Sequence, residues 1–315
     1  MRLTRRQTLL GAAALALPVP ALAAAPEYRL APRQIADGVW LIEGAQQSFG
    51  RGNGGAICNI TMLETPQGAV VVDTGGTSRH GAALRAFADQ RLGGVAASVN
   101  THHHPDHWFG NQAFADRSIH ALPACQRAQA TGAQALAEGL YRILGSWMNG
   151  TAPVPADTAA GEGGIEFGTR RLTIMAMAGH TQGDLVLIDQ QTGTLIAGDL
   201  LFLDRAPSFP DARIAEWRAS LAKLAGLEVS GTVPGHGAFR RDNAALVQTR
   251  AYLDAFETRM DAAAGQGLAP AEALAAGPMP DFAGLGANPE EYHRAVIQRW
   301  RDAEISALPV IGGSA

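Results

Sequence analysis

The chain has 315 residues, of which 47% are hydrophobic and 17% charged, enough apolar material for one large domain or two small ones. A net charge of −4 gives no basic surface for nucleic acid. The only cysteines, Cys58 and Cys125, exclude a disulfide framework. A single bond between them stays open, although two small buried side chains are the favoured interpretation.

Residues 1–23 predict an export signal. A charged start is followed by an apolar run and by Ala21-Leu22-Ala23, a small-residue cleavage site. The adjacent Arg5 and Arg6 fit the twin-arginine route. The apolar run of about 13 residues is shorter than the roughly 20 that a membrane-spanning helix needs. We therefore expect a periplasmic protein that has no membrane association after signal cleavage.

The remaining chain alternates strand-like blocks with helical stretches. Apolar runs separated by turn residues predict strands between residues 38 and 102, and again between 172 and 198. Each sheet must bury an apolar face, so two sheets packed back to back with helices outside are expected. Residues 241–315 are expected to be a helical extension of the same domain. The predicted helices are 80–91, 125–148, 214–224, 244–263 and 290–305.

Residues 101–107 read Thr-His-His-His-Pro-Asp-His and follow an apolar, strand-like run. Imidazole nitrogen and carboxylate oxygen are ligands for zinc and for other transition metals. His102, His104, Asp106 and His107 supply four such groups within six residues. In a tight loop these groups are too crowded for one ion, so they indicate two neighbouring ions. A solvated histidine-rich loop is the alternative.

Three further side chains fit the same site. His180 and His236 are flanked by glycines and follow short apolar runs. This pattern is typical of a side chain presented from a tight turn at a strand end. Asp199 terminates an apolar strand after a glycine, where its carboxylate could bridge two cations.

Together with Val70-Val-Val-Asp73-Thr-Gly-Gly, these segments form five motifs in an order that resembles the metallo-β-lactamase-fold hydrolase superfamily. The resemblance implies an α/β fold for a domain of residues 35–240: an αββα four-layer sandwich of two mixed β-sheets with helices on the outer faces. It also implies a metal-dependent hydrolase with two zinc ions, iron or manganese being possible instead.

The resemblance further implies a role for each motif residue. Asp199 would be the bridge between the ions, and Asp73 would orient the histidine loop without binding metal. The first ion would be held by His102, His104 and His180, and the second by Asp106, His107 and His236.

The aspartate at position 199 makes the chain more similar to the glyoxalase II, lactonase and phosphodiesterase branches, because true β-lactamases do not usually have aspartate at this position. Two cations would lower the pKa of a shared water from about 16 toward about 7, and the resulting hydroxide could attack a carbonyl or phosphorus. Asp106 could also accept a proton. The expected small-molecule substrate is a carboxylic ester, thioester or lactone, with β-lactams and phosphoesters as runners-up.

The segment from Thr101 to Asn111, with Asn53-Gly-Gly upstream, is similar to exported zinc metallohydrolases associated with periplasmic quinoprotein dehydrogenases and sulfur oxidation. It predicts partners in one of those systems. The alternatives are a mononuclear iron sulfur dioxygenase and a non-catalytic metal-bearing partner. In this fold the loop between the early strands often overhangs the metals, so Phe49 and Asn53 could touch substrate. The alternative, of equal weight, is that this segment is a plain hairpin turn without contact to substrate.

Overall fold

The structure is a computed structural model that describes residues 26–308, so the predicted export signal lies outside the described residues. Within that range the chain forms strands and helices in the order strand-rich block, helix, strand-rich block, helices. The strands are β1 (Arg33–Ala36), β2 (Val39–Ile42), β3 (Ile60–Leu63), β4 (Ala69–Val72), β5 (Val95–Val99), β6 (Ile119–Ala121), β7 (Thr158–Ala159), β8 (Gly163–Phe167), β9 (Arg170–Met177), β10 (Asp184–Asp189), β11 (Thr194–Ile196) and β12 (Gly231–Val233). The helices are α1 (Ser78–Arg91), α2 (Pro105–Trp108), α3 (Pro123–Leu144), α4 (Ile214–Ala225), α5 (Ala244–Gly265), α6 (Pro270–Ala275) and α7 (Glu290–Ala307).

The strands form two mixed sheets. The first has seven strands in the order β1-β2-β3-β4-β5-β6-β7, and the second has five in the order β12-β11-β10-β9-β8. Pairing is parallel from β4 through β7 and between β11 and β12, and antiparallel elsewhere. Since β9 and β11 both run antiparallel to β10, the carboxyl ends of β9, β11 and β12 meet at one edge of the second sheet.

Of the three apolar clusters among the described residues, the two largest hold these layers together. The first lies between the sheets and joins side chains such as Val70 and Leu41 with Leu172 and Leu187. The second lies on the outer face of the five-stranded sheet, where Trp217 of α4, Phe256 of α5 and Trp300 of α7 pack together. The predicted αββα sandwich is thereby confirmed, and the C-terminal helices share a core with the second sheet.

Most predicted helices occur with small differences at their ends. The helix predicted for 125–148 ends at Leu144, because Gly145 takes a φ of 60° that a helix cannot continue through. The segment 149–164, which is rich in Pro, Ala, Gly and Thr, contains β7 and the start of β8. These strands form because the sheet edges supply the hydrogen-bond partners.

Two sequence expectations concern cysteines and membranes. Cys58 and Cys125 are both buried free thiols and form no disulfide. Among residues 26–308, every helix falls short of the length or apolar character that a bilayer crossing requires.

Candidate metal centre

The loops that carry the predicted ligands leave the strands at one edge of the sandwich. The histidine loop follows β5 and continues into α2, which Pro105 begins. His180 follows β9, Asp199 follows β11, and His236 follows β12. A hydrogen bond from the Leu185 amide to the Thr101 carbonyl, 2.7 Å long, joins the two sheets at this edge. The parallel pairing and this cross-sheet contact bring the loops together.

The structure brings all seven predicted ligands into one buried site. Four groups of side chains among the described residues have ligand atoms within 4.8 Å of one another, and Asp199 belongs to two of them. The Oδ2 atom of Asp106 lies 3.4 Å from His236 Nε2 and 3.6 Å from His107 Nε2, beside the second of these two groups. The first of the two is His102, His104, His180 and Asp199; the second is His107, Asp199 and His236.

The hydrogen bonds of the histidines decide which ring nitrogen faces the site. His107 Nδ1 donates to Asp73 Oδ2 at 2.7 Å, and His236 Nδ1 donates to the Ile57 carbonyl at 2.7 Å. His102 Nδ1 lies 3.0 Å from the Thr101 hydroxyl oxygen. In each ring Nε2 is then left with its lone pair toward the centre of the cluster. Orientation of this kind is typical of histidines that bind metal.

Several buried atoms at the centre of the site are suited to binding a cation. His102 Nε2, His107 Nε2 and Asp199 Oδ1 are buried and have no hydrogen-bond partner among the described residues. Buried polar atoms without partners are costly and need an explanation. His180 Nε2 and His104 Nδ1 lie 2.8 Å apart, two ligand nitrogens directed at one point. The donor set of imidazoles and carboxylates therefore fits divalent metal ions.

Burial and neighbouring charges shift the pKa values of these side chains in different directions. Burial is the main cause that lowers the pKa of His180 to about 4 and the pKa of His102 well below its usual value, so both rings are neutral near pH 7. Burial also acts to lower the pKa of His107, but Asp199, Asp106 and Asp73 outweigh it and hold that pKa well above normal. Burial disfavours ionised Asp199, yet the surrounding histidines lower its pKa.

Asp73 organises the histidine loop from behind. Its carboxylate accepts hydrogen bonds from the Thr101 amide at 2.8 Å, from the Thr101 hydroxyl at 2.9 Å and from His107. The backbone at Asp73 has a φ of 62°, a left-handed conformation that aspartate tolerates better than most residues. Strain of this kind is typical of functional sites. Asp73 thus contacts both the predicted ligand His107 and the start of the loop that carries it.

A cavity of about 250 Å³ opens over the site. Phe49 lines it beside His104, Asp106 and Asp199. Asn53 does not line it: the Asn53 amide caps its own loop, accepting from the Gly55 amide at 2.9 Å and donating to the Ser48 carbonyl at 2.9 Å. The structure therefore keeps Phe49 as a candidate substrate contact and gives Asn53 the plain turn role that the sequence left open.

Four charged residues near the site were missed by sequence reasoning. Asp211 Oδ2 lies 3.0 Å from His104 Nε2 and 3.2 Å from His103 Nε2. Arg205, Glu291 and Arg294 form a row of ion pairs along the cavity wall. No local motif marks any of the four, because each is an ordinary charged residue in the sequence and only the folding of its segment brings it to the site.

Cys58 is a further neighbour of the site. Its thiol donates to the Asp106 backbone carbonyl at 2.9 Å. Burial, with added repulsion from Asp106, Asp73 and Asp199, raises the pKa of this thiol well above normal. Cys58 is therefore a neutral packing group that supports the histidine loop.

Comparison with known proteins agrees with this geometry. The sequence profile of the metallo-beta-lactamase superfamily matches residues 53–236, which span the ligands from His102 to His236. The chain belongs to the metallo-beta-lactamase superfamily. Together with its hydrolase relatives, this membership makes the protein a metal-dependent hydrolase.

Among curated relatives, the acyl-coenzyme A thioesterase MBLAC2 from Bos taurus is 27% identical over 65% of this chain and 80% of its own length. A hydroxyacylglutathione hydrolase from Synechococcus is 28% identical over 34% of this chain and 35% of its own. Among solved structures, a metallo-beta-lactamase from Pontibacter korlensis aligns with a TM-score of 0.58 at 21% identity, covering 72% of this chain and 99% of that one. That structural likeness shows the shared fold.

Proposed function

We propose that this protein is an exported dinuclear zinc hydrolase that acts on a carboxylic ester, thioester or lactone. The observation that carries the proposal is the pair of buried ligand groups that share Asp199, with Asp106 beside the second group. Three histidines and a carboxylate suit one zinc ion, and two histidines and two carboxylates suit another.

Two relatives favour a thioester. One is named an acyl-coenzyme A thioesterase and the other a hydroxyacylglutathione hydrolase. Asp199 supports a thioester as well, since an aspartate at this position resembles hydrolases of the family other than true β-lactamases. Hydrolysis of a β-lactam is therefore the secondary expectation, even though solved β-lactamases share the fold.

The chemistry that divalent ions supply at such a site is a lowered pKa for bound water and polarisation of a substrate oxygen. The chain's own residues hold and orient the reacting groups. Asp73 fixes His107, and Ile57 fixes His236, so neither ring can turn. Asp106 lies at the cavity floor, where its carboxylate can accept a proton from the attacking water. Phe49 covers one side of the cavity and limits access of bulk water to the acyl group.

The place of action is part of the proposal. Residues 1–23 support export by the twin-arginine route, and the segment around Thr101 supports a link with a periplasmic quinoprotein or sulfur-oxidising system. Cell fractionation tests the location: wild-type protein should be periplasmic, and replacement of both Arg5 and Arg6 by lysine should retain it in the cytoplasm. Equal export of both forms would exclude the twin-arginine route.

Metal analysis and a substrate panel test the activity. Purified protein should contain two zinc ions per chain, and zinc-loaded protein should hydrolyse thioesters or lactones faster than β-lactams. One iron per chain with oxygen-dependent turnover of a persulfide would favour the mononuclear sulfur dioxygenase instead. Two zinc ions without turnover of any ester would favour a non-catalytic metal-bearing partner.

A further inference from the structure

One wall of the metal cavity is built by the C-terminal helix α7. Glu291, Arg294 and Gln298 line the cavity that also contains Asp106 and Asp199. These three residues recur at intervals of three and four, so they lie on one face of the helix. One polar face of α7 therefore borders the cavity that a substrate must enter.

The charges on this wall form a row that begins at a predicted metal ligand. Arg205 Nη1 contacts His236 Nδ1, and Arg205 Nη2 donates to Glu291 Oε1 at 3.1 Å. Arg294 donates to both carboxylate oxygens of Glu291, at 2.5 Å and 3.2 Å. The side chains of Arg205 and Glu291 are 3% and 4% exposed, whereas that of Arg294 is 45% exposed. Arg205 and Glu291 are thus the buried part of the row, and Arg294 is the part that solvent and substrate can reach.

The row carries one uncompensated positive charge. Both oxygens of Glu291 are occupied by two guanidinium groups, and Nη1 of Arg294 makes no hydrogen bond to residues 26–308. Among the other acids of the cavity, Asp106 and Asp199 face the ligand histidines, and Asp211 binds His103 and His104. Among residues 26–308, Arg294 therefore lines the cavity with Nη1 unpaired, and it shares the Glu291 carboxylate with Arg205.

We propose that Arg294 binds an anionic group of the substrate, so that the protein prefers an ester or thioester that carries a carboxylate. This inference rests on the proposed hydrolase function and assigns its substrate class. An arginine held by an ion pair loses little freedom on binding, and its unpaired Nη1 can donate a charge-assisted hydrogen bond to a carboxylate. A cavity of about 250 Å³ is smaller than most ligand pockets, so the group between the scissile bond and the anion is short.

The carboxylate could belong to the acyl group or to the leaving thiol, and a set of thioesters separates the two. The neutral reference is S-acetyl-N-acetylcysteamine. The acyl-side anion is S-succinyl-N-acetylcysteamine, and the thiol-side anion is S-acetyl-thioglycolate. Each is assayed with zinc-loaded wild type, Arg294→Gln, Arg294→Lys and the control Arg301→Gln. Arg301 is an exposed arginine two turns further along α7 and does not line the cavity.

Loss of one charge-assisted contact is expected to raise KM about tenfold or more for the anionic substrate that uses it. Arg294→Gln should show this rise with one anionic thioester, while KM for the neutral thioester and kcat for all three stay close to wild type. Arg294→Lys should recover part of the loss, and Arg301→Gln should have no effect. An equal change for neutral and anionic substrates, or the same change in Arg301→Gln, would overturn the assignment.

A binding measurement separates this inference from the hydrolase proposal. Succinate should raise the thermal unfolding midpoint of zinc-loaded wild type more than that of Arg294→Gln, whereas succinamide should act equally on both. If no thioester is turned over but succinate still distinguishes the two proteins, the anion site stands and the hydrolase proposal fails. If the neutral thioester is hydrolysed and succinate protects both proteins equally, the anion site is refuted.

Discussion

Replacing Asp73 by asparagine should weaken metal binding without unfolding the protein. The substitution keeps the size of the side chain and an oxygen for the Thr101 amide, 2.8 Å away. It places an amide donor where Oδ2 now accepts from His107 Nδ1 at 2.7 Å. His107 must then accept through Nδ1 and carry its proton on Nε2, the atom that faces Asp199. A protonated Nε2 cannot bind a cation.

The magnitude follows from the contacts of Asp73. Loss of an orienting partner typically costs a factor of about 10 to 100 in metal affinity, or about 1.4 to 2.7 kcal/mol. Asparagine tolerates the left-handed φ of 62° as aspartate does, so the loss of stability should be about 1–2 kcal/mol, near that of one charge-assisted bond. Asp73→Ala removes all three bonds and adds left-handed strain, so we expect a loss of about 3–5 kcal/mol.

The assay is zinc titration of the apoprotein against a competing chelator, with urea unfolding measured in parallel without metal. Asp189→Asn is the matched control. Asp189 is a fully buried carboxylate that binds Arg170 at 2.7 Å, and it lies at the far end of β10 from the site. This control should lose stability and keep its zinc affinity. Wild-type zinc affinity in Asp73→Asn, or an equal loss in Asp189→Asn, would refute the role given to Asp73.

Three further results are expected. His102→Ala or Asp199→Ala should remove hydrolysis and bound metal together; loss of activity with full metal content would give that residue another role. Gly235→Ala should also lower metal content, because its Cβ would lie 1.9 Å from Asp199 Oδ1, whereas Gly139→Ala in α3 meets nothing within 4 Å and should keep full metal content. Burial lowers the pKa of His80 to about 4 from 6.5, so the unfolded chain takes up a proton first as pH falls, and stability should drop by about 3 kcal/mol between pH 6.5 and pH 4. His80→Phe should lack that part of the acid loss in urea unfolding of the apoprotein; an unchanged pH dependence would contradict it.

The ligands of the site were predictable from the sequence because each one is marked by the few residues next to it in the chain. A ligand residue beside glycine or proline, directly after an apolar run, marks a strand end wherever it occurs. The His102–His107 segment, His180, Asp199 and His236 all carry this mark, and the structure brings all of them together. The two-sheet architecture was predictable for a similar reason, since alternating apolar runs and helices leave few ways to bury both sheet faces.

What only the tertiary structure decided is the surroundings of the ligands. Asp211 meets His104 across more than a hundred residues of chain, and Arg205 meets Glu291 across 86. Nothing near these residues in the sequence distinguishes them from charged residues that lie on the surface. Likewise, Asn53 belongs to a glycine-rich segment that the sequence suggested as a substrate contact, yet its side-chain oxygen accepts hydrogen bonds from the amides of its own loop. Local patterns specify which groups can bind a metal, whereas the packing of α7 and the long loops determines which charges a substrate meets.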